Sequence, residues 1–121
     1  MIITKVDASP EAKYYDFEVD EANRTVKFTY NGKSITVKIP ETVAHFEKLI
    51  NVYRNEAGNL SEEVAEYHVA QLIIPISAVH YEEGEPMQTG MGEEGSEEPS
   101  MIQVLETVPL EAVELRIWPI V

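Results

Sequence analysis

The sequence predicts an α+β fold, in which a mainly antiparallel sheet is combined with two central helices. Three observations support this prediction. A β-hairpin pattern occupies residues 24–39, apolar residues then recur at helical spacing in two successive segments, and a long acidic loop precedes two C-terminal strand-like segments. Because 121 residues suit one domain, we expect residues 1–121 to form a single domain, with residues 82–100 as a loop within it.

The N-terminal third of the chain shows the alternation of apolar and polar residues that is typical of strands. Residues 2–6 and residues 14–19 each predict a short strand. The clearest signal is at residues 24–39, where two alternating runs flank Asn31 and Gly32. Since this pair favours a two-residue turn with positive φ at both positions, we predict a β-hairpin with one face in the core.

Two segments after Pro40 show the three- and four-residue spacing of an amphipathic helix. The apolar positions are Val43, Phe46, Leu49, Ile50 and Tyr53 in the first segment, and Val64, Ala65, His68, Val69, Leu72 and Ile73 in the second. Gly58 suits the left-handed position that ends a helix, and Ser61 suits the N-cap of the next one. We therefore predict two helices separated by Gly58, the second of which ends before Pro75.

The acidic loop is the most unusual stretch of the chain. Residues 82–100 hold seven of the 22 acidic residues and four of the six glycines. A segment of this composition has too little apolar surface to order itself, so the first interpretation is a solvated connection between strands. A specific binding segment is the alternative, because long loops in compact domains are usually either functional or disordered. Beyond it, residues 101–108 and 112–118 resume the strand pattern, as residues 76–81 do before it.

The net charge of −13 lies entirely in the C-terminal part of the chain. Residues 1–54 carry eight basic and eight acidic side chains, whereas residues 55–121 carry fourteen glutamates and one arginine. Such a surface repels nucleic acid and acidic membranes and attracts basic partners. We expect no direct nucleic-acid binding and no membrane association. With neither a secretory leader nor 18 consecutive apolar residues, the expected location is the cytoplasm, or a particle assembled there.

The residues needed for catalysis or for metal binding do not form a recognisable pattern. The absence of cysteine removes thiol nucleophiles and thiolate metal sites. The three histidines form no HExxH pair, and His68, inside an apolar stripe, is expected to be partly buried and hydrogen-bonded. No glycine-rich phosphate loop, serine elbow or calcium loop is present either. The sequence therefore predicts a protein that is not an enzyme and needs no cofactor or metal.

Two regions are candidates for binding a protein partner. The first is the C-terminal end, where exposed apolar groups could dock on another subunit, or could fold back over their own core. The second is the acidic loop. The candidate partner-binding residues are Arg116, Trp118, Ile120 and Val121 at the end of the chain, and Glu82, Glu83, Glu93, Glu94, Glu97 and Glu98 in the loop.

Two functional hypotheses follow from these residues. The first is a non-catalytic subunit of a larger assembly, such as an accessory protein of a virus particle, which binds copies of itself or other subunits through sheet edges and its C-terminal end. The second is a small acidic inhibitor, acting as a nucleic-acid mimic or otherwise, that binds a basic enzyme or a nucleic-acid-binding protein. The first predicts an oligomer that is insensitive to salt, whereas the second predicts binding that weakens as salt rises.

Overall fold

The computed structural model describes residues 1–7, 9–83 and 101–120. Their regular structure consists of β-strands and one 3-10 turn at Leu110–Ala112. No helix long and apolar enough to cross a membrane occurs in these residues. The strands are β1 (Ile2–Lys5), β2 (Asp16–Asp20), β3 (Thr25–Tyr30), β4 (Lys33–Lys38), β5 (Lys48–Arg54), β6 (Leu60–Ser61), β7 (Tyr67–Ile74), β8 (Val79–Glu83), β9 (Met101–Leu105) and β10 (Glu114–Ile117).

Two of the three sheets pack around a shared core. The larger sheet has the order β1-β10-β7-β5-β6. Strand β1 is parallel to β10, and every other pair of neighbouring strands in this sheet is antiparallel. The smaller sheet has the antiparallel order β2-β3-β4. Inward-facing residues of both sheets form one hydrophobic cluster, which makes this part of the chain a β-sandwich. The largest fully buried side chains are Val26, Phe28, Val37, Ile39, Val52, Val69, Leu72, Ile74, Val113, Leu115 and Ile117.

The predicted hairpin is confirmed. Strands β3 and β4 pair in antiparallel register around Asn31 and Gly32, whose φ angles are 52° and 81°. Both positions therefore take the positive φ that this turn requires. Val26 and Phe28 are fully buried, while Lys27 between them is exposed, as the alternation predicted.

The prediction of two central helices is wrong, and with it the α+β class. The apolar residues of the first predicted helix belong mostly to β5, where Val52 and Arg54 are buried and Asn51 and Tyr53 point to the opposite face. A short run rich in β-branched and aromatic residues fits both a two-residue and a 3.6-residue period. Antiparallel pairing with β7, which is distant in sequence, decides between them.

The signals assigned to the helix ends belong to turns between strands. Gly58 does adopt a left-handed φ of 83°, but its N–H donates to Asn55 O at 3.0 Å in the turn that joins β5 to β6. Ser61 lies in β6, and its Oγ accepts a hydrogen bond from Glu63 N at 2.9 Å. Serine and glycine serve equally well at helix ends and in turns, so these local signals did not distinguish the two.

The acidic region divides between a strand and residues outside the description. Glu82 and Glu83 lie in β8, which pairs with β9 on the far side of the predicted loop. The other residues of that loop, 84–100, lie outside the described residues. The two C-terminal strands do not pair with each other: β9 pairs with β8, whereas β10 lies between β1 and β7.

Candidate functional site

Strands β8 and β9 form a two-stranded sheet, here called the arm, that pairs with no other strand among the described residues. Its exposure rises with distance from the sandwich. Val104 and Leu105 are half-buried, whereas Tyr81, Met101 and Ile102 are 61%, 57% and 53% exposed. The arm therefore projects from the body of the protein with large apolar side chains in solvent.

The root of the arm is fixed to the loop before β5. Ser77 is buried, its N–H donates to Val43 O at 2.9 Å, and its Oγ accepts from Val43 N at 2.8 Å. On the other strand, Val108 is buried and its N–H donates to Glu41 O at 2.8 Å. These bonds hold both strands of the arm at its base, so its direction from the sandwich is set by the fold.

The two faces of the arm carry different groups of side chains. In antiparallel register, Val79 lies opposite Leu105 and Tyr81 opposite Gln103, so these side chains share a face. On the other face, His80 Nε2 lies 3.0 Å from Glu82 Oε1, and His80 Nδ1 lies 3.8 Å from Glu106 Oε1. Met101 and Glu83 share the face of Tyr81, whereas Ile102 lies on the face of His80, so exposed apolar and acidic side chains occur on both faces of the arm.

The loop that holds the root of the arm also displays a phenylalanine. Phe46 N donates to Ala44 O at 2.9 Å around His45, whose φ is 72°. This is a γ-turn with a positive central φ, which is rare and strained for a residue with a side chain. Phe46 itself is 81% exposed. Strained backbone that presents an exposed aromatic side chain is a feature of binding surfaces.

A second unusual feature is a ring stack on the outer face of the five-stranded sheet. His68 lies between Trp118 and Tyr53, at centroid distances of 3.7 and 4.9 Å. A β-bulge opposite the Val52–Tyr53 step places Val69 and Ala70 both in the core and leaves His68 opposite Tyr53. The bulge therefore creates the stack by turning His68 outward.

A hydrogen bond orients the His68 ring, and burial favours its neutral form. Asn51 Oδ1 lies 3.1 Å from His68 Nε2 and accepts from Gln71 Nε2 at 3.1 Å, so Nε2 carries the proton. Desolvation lowers the pKa of His68, and a hydrogen bond with the Ala70 backbone opposes that effect. His68 is thus half-buried and hydrogen-bonded, as its sequence environment predicted, although it lies on a strand and not on a helix.

Arg54 anchors a group of tyrosines inside the sandwich. It is only 6% exposed, its Nη1 donates to Tyr30 Oη at 2.9 Å, and its guanidinium lies 4.5 Å from the Tyr30 ring and 4.3 Å from the Tyr67 ring. Burial raises the pKa of the nearby Tyr15 hydroxyl, and the positive charge of Arg54 partly offsets this rise. Cation–π contacts of this kind stabilise a buried arginine, so we assign the group a structural role.

The structure separates the residues that the sequence grouped as candidate partner contacts. Trp118 and Ile120 fold back on their own chain, since Trp118 N donates to Val69 O at 3.0 Å and Ile120 N to Lys13 O at 2.7 Å. Arg116 is exposed and its Nε lies 2.6 Å from Glu114 Oε2. Glu82 and Glu83 are exposed on the arm. The remaining candidates lie outside the described residues: Val121, Glu93, Glu94, Glu97 and Glu98.

The apolar residues of the arm were missed by the sequence reasoning. Tyr81, Met101 and Ile102 flank the acidic loop. The prediction of binding residues considered the acidic composition of the loop and not the apolar residues on either side of it. Two β-rich stretches on either side of a polar connection are the signal of a hairpin with a long loop, and that signal was present. What the sequence could not show is that this hairpin lies outside the core.

Neither converging metal ligands in the described residues nor similarity to known proteins points to a function for this chain. Among residues 1–7, 9–83 and 101–120, no three histidine, aspartate or glutamate side chains converge as a metal ion would require. Comparison of the chain with protein-family models, with curated proteins and with solved structures gave no match.

Proposed function

We propose that this protein is a non-catalytic subunit of a larger protein assembly, such as a virus particle formed in the cytoplasm, and that it joins the assembly through its arm. The observation that carries this proposal is the two-stranded arm with Tyr81, Met101 and Ile102 exposed. The Arg54 and His68 groups are accounted for by packing and hydrogen bonding within the fold.

The physical argument is that an arm of this kind is incomplete by itself. An isolated two-stranded hairpin is at best marginally stable in water, because it has no second layer against which to bury its apolar face. Exposed apolar groups next to one another mark sites where another protein binds. A partner that covers Tyr81 and Met101 would supply the missing layer, and a fixed root lowers the entropy lost when the arm is ordered.

The contacts of the C-terminal residues favour the arm over the chain end as the partner-binding surface. Trp118 is engaged with His68, and Ile120 with Lys13, so the arm replaces the chain end as the principal contact. Glu83 lies on the face of Tyr81 and Met101, and Glu82 lies on the opposite face, so each face of the arm carries an exposed carboxylate. Charges in that position set partner choice and association rate more than affinity.

The test is light scattering coupled to size-exclusion chromatography on the full chain and on a Tyr81→Ser/Met101→Ser double variant. Each is run at low salt and at about ten times that ionic strength, where the Debye length falls roughly threefold. We expect the full chain to form oligomers that persist at high salt and the double variant to remain a monomer. Val64→Ser, between β6 and β7, is the matched loss of an exposed apolar side chain elsewhere. A full chain that stays monomeric at every concentration would contradict an assembly formed from this chain.

The alternative function is a small acidic inhibitor of a basic protein. Three exposed carboxylates in the five-residue loop between β6 and β7 favour the inhibitor function. They belong to Glu62, Glu63 and Glu66. Under this alternative the chain is a monomer or dimer whose complex with a basic partner weakens as salt rises. The Tyr81→Ser/Met101→Ser variant would then leave that complex intact, whereas Glu62→Gln/Glu63→Gln would weaken it.

A further inference from the structure

We propose that the arm of one copy binds the free edge of β1 in a second copy, so that β8 extends the neighbour's five-stranded sheet. This inference rests on the proposed function, because it names the partner of the arm. The partner is another molecule of the same chain, and the contact is head-to-tail: the two surfaces that meet are different parts of the protein.

The free edge of β1 is exposed and carries unpaired backbone groups. Among the described residues β1 pairs with β10 alone. Ile2 N donates to Val113 O at 2.9 Å and Val6 N to Ile117 O at 3.0 Å. Since successive N–H groups of a strand alternate in direction, those of Ile3 and Lys5 point away from β10. Ile2 and Ile3 are 52% and 42% exposed, so the edge is apolar as well as unpaired.

The other sheet edges carry features that discourage pairing. β2 has an acidic residue at every second position, Asp16, Glu18 and Asp20, all of them exposed. β6 has only two residues, and β4 contacts β6 and bears Lys33 and Lys38 at its ends. Short length and charged side chains are the usual protections of an edge strand. β1 has no charge before Lys5, so among the edges of the two sandwich sheets it is the one open to another chain.

The arm offers a matching edge. Glu106 N donates to Ala78 O at 2.8 Å, which makes Ala78 and Glu106 a hydrogen-bonded pair. By alternation along β8, the backbone groups of Val79, Tyr81 and Glu83 point away from β9. A strand of similar length to β1 therefore presents free donors and acceptors beside exposed apolar side chains.

Charge selects the combination of one arm with one β1 edge. The one charged side chain of β1 is Lys5, which is positive, and the acidic side chains of β8 are Glu82 and Glu83. Pairing two β1 edges brings positive groups together, and pairing two arms brings glutamates together. Pairing the arm with β1 brings opposite charges together, so among the three self-pairings it alone is favoured electrostatically.

A head-to-tail contact has a consequence for assembly. Each copy keeps one unused arm and one unused edge after binding a neighbour, so the contact repeats until a ring closes or a filament grows. The main-chain hydrogen bonds supply affinity and the side chains on alternate positions supply specificity.

The experiment uses two proline variants of the full chain. Ile3→Pro removes one outward N–H from β1, and Tyr81→Pro removes one from β8, while each leaves the hydrogen bonds within its own sheet in place. Proline is tolerated at such edge positions. Ile3→Val and Tyr81→Phe are the matched controls, since both keep the N–H. Circular dichroism and thermal melting of all four variants establish that the fold is retained.

Light scattering then measures each variant alone and the two proline variants mixed. We expect each proline variant alone to be a monomer, the controls to assemble as the full chain does, and the mixture to form a one-to-one dimer and nothing larger. That dimer uses the intact arm of Ile3→Pro and the intact edge of Tyr81→Pro. A mixture that stays monomeric overturns the inference.

The outcomes separate this inference from the proposed function. If Tyr81→Pro abolishes assembly and Ile3→Pro does not, the arm binds a surface other than β1, so the inference fails and the proposed function stands. If the full chain never self-associates, both fail.

A charge exchange gives a second readout. Lys5→Glu alone and Glu83→Lys alone should each weaken assembly about two- to fivefold, the range of an exposed ion pair, and mixing the two variants should restore the contact between them. Equal affinity in all combinations overturns the assigned charge pairing.

Discussion

The sandwich and the arm are built from the same kind of sequence and reach opposite degrees of burial. In β3, Val26 and Phe28 are fully buried between two sheets. In β8 of the arm, Val79 and Tyr81 alternate with His80 and Glu82 in the same way, yet they are 38% and 61% exposed. Alternation of apolar and polar residues therefore predicts a strand, whereas the burial of its apolar side chains depends on a second layer of protein packed against them. The sandwich contains its second layer, and the arm requires one from outside.

The strongest way to test this comparison is to remove one large side chain from each environment. Phe28→Ala deletes a fully buried ring and leaves a cavity, so we expect a loss of about 3–5 kcal/mol in the free energy of unfolding. Phe46→Ala, at an 81% exposed position, is the control and should change it by less than about 0.5 kcal/mol. Urea unfolding measures both. Equal losses would show that Phe46 packs against the protein in solution.

The junction between the two regions is tested by Ser77→Ala. This change leaves the buried Val43 N–H without its acceptor at 2.8 Å, and a buried donor left unpaired costs about 1–3 kcal/mol. We also expect faster amide hydrogen exchange at Val79–Glu83 in this variant than in the unsubstituted protein, because the root no longer fixes the arm. Ser34→Ala, an exposed serine of β4, is the control. Unchanged exchange in the arm would mean that the other root bonds are sufficient.

The His68 stack should make the stability of the sandwich depend on pH. Burial lowers the pKa of His68 below its ordinary value of about 6.5, so the unfolded chain binds a proton that the folded chain does not. The stability contributed by neutral His68 is therefore present at pH 7.5 and declines as pH falls below about 6.5. The lowered pKa of Asp20, caused first by its hydrogen bond from the Asn23 side chain, acts in a more acidic range.

The measurement is urea unfolding at several pH values between about 7.5 and 5. His68→Gln should flatten the pH dependence, and His45→Asn, which removes an exposed histidine and suits the positive φ, should keep it. If both variants retain the full dependence, another group is responsible.

The smallest effect is expected from the arm itself. In dilute solution, Tyr81→Ser/Met101→Ser should change the free energy of unfolding by no more than about 0.5 kcal/mol, because neither side chain is covered. Urea unfolding at a concentration where the chain is monomeric checks this. A loss above about 1 kcal/mol in the free energy of unfolding would contradict the exposure of these side chains, since it would mean that the arm packs against the sandwich.

The parts of the fold that the sequence predicted correctly are those decided by neighbouring residues. The hairpin at residues 24–39 was predicted because Asn31-Gly32 favours one turn geometry, and a strand at residues 112–118 because apolar and polar residues alternate there. The helix predictions failed where the pattern was compatible with two periods. Leu49, Ile50 and Tyr53 satisfied a helical spacing, but they lie in a strand whose partner is β7.

The candidate site was predicted only in part. Glu82 and Glu83, two of the candidate partner-binding residues, are exposed on the arm, and their binding of a partner stays a prediction. Trp118 was expected at the free end of the chain with self-coverage as the alternative, and it stacks on His68. No local signal brings those two rings together, because their contact depends on the pairing of β10 with β7 and on a bulge one residue long.

The sequence by itself determined the local and additive properties of this protein: the charge of −13, its concentration in residues 55–121, the hairpin turn and the strands with strict alternation. These follow from composition and from contacts between near neighbours in the chain. Only the tertiary structure decided that residues 48–54 and 67–74 are strands, that His68 turns outward, and that β8 and β9 stand apart from the core. The reason is that a strand is completed by a partner remote in sequence, so its pairing and its burial are properties of the whole fold.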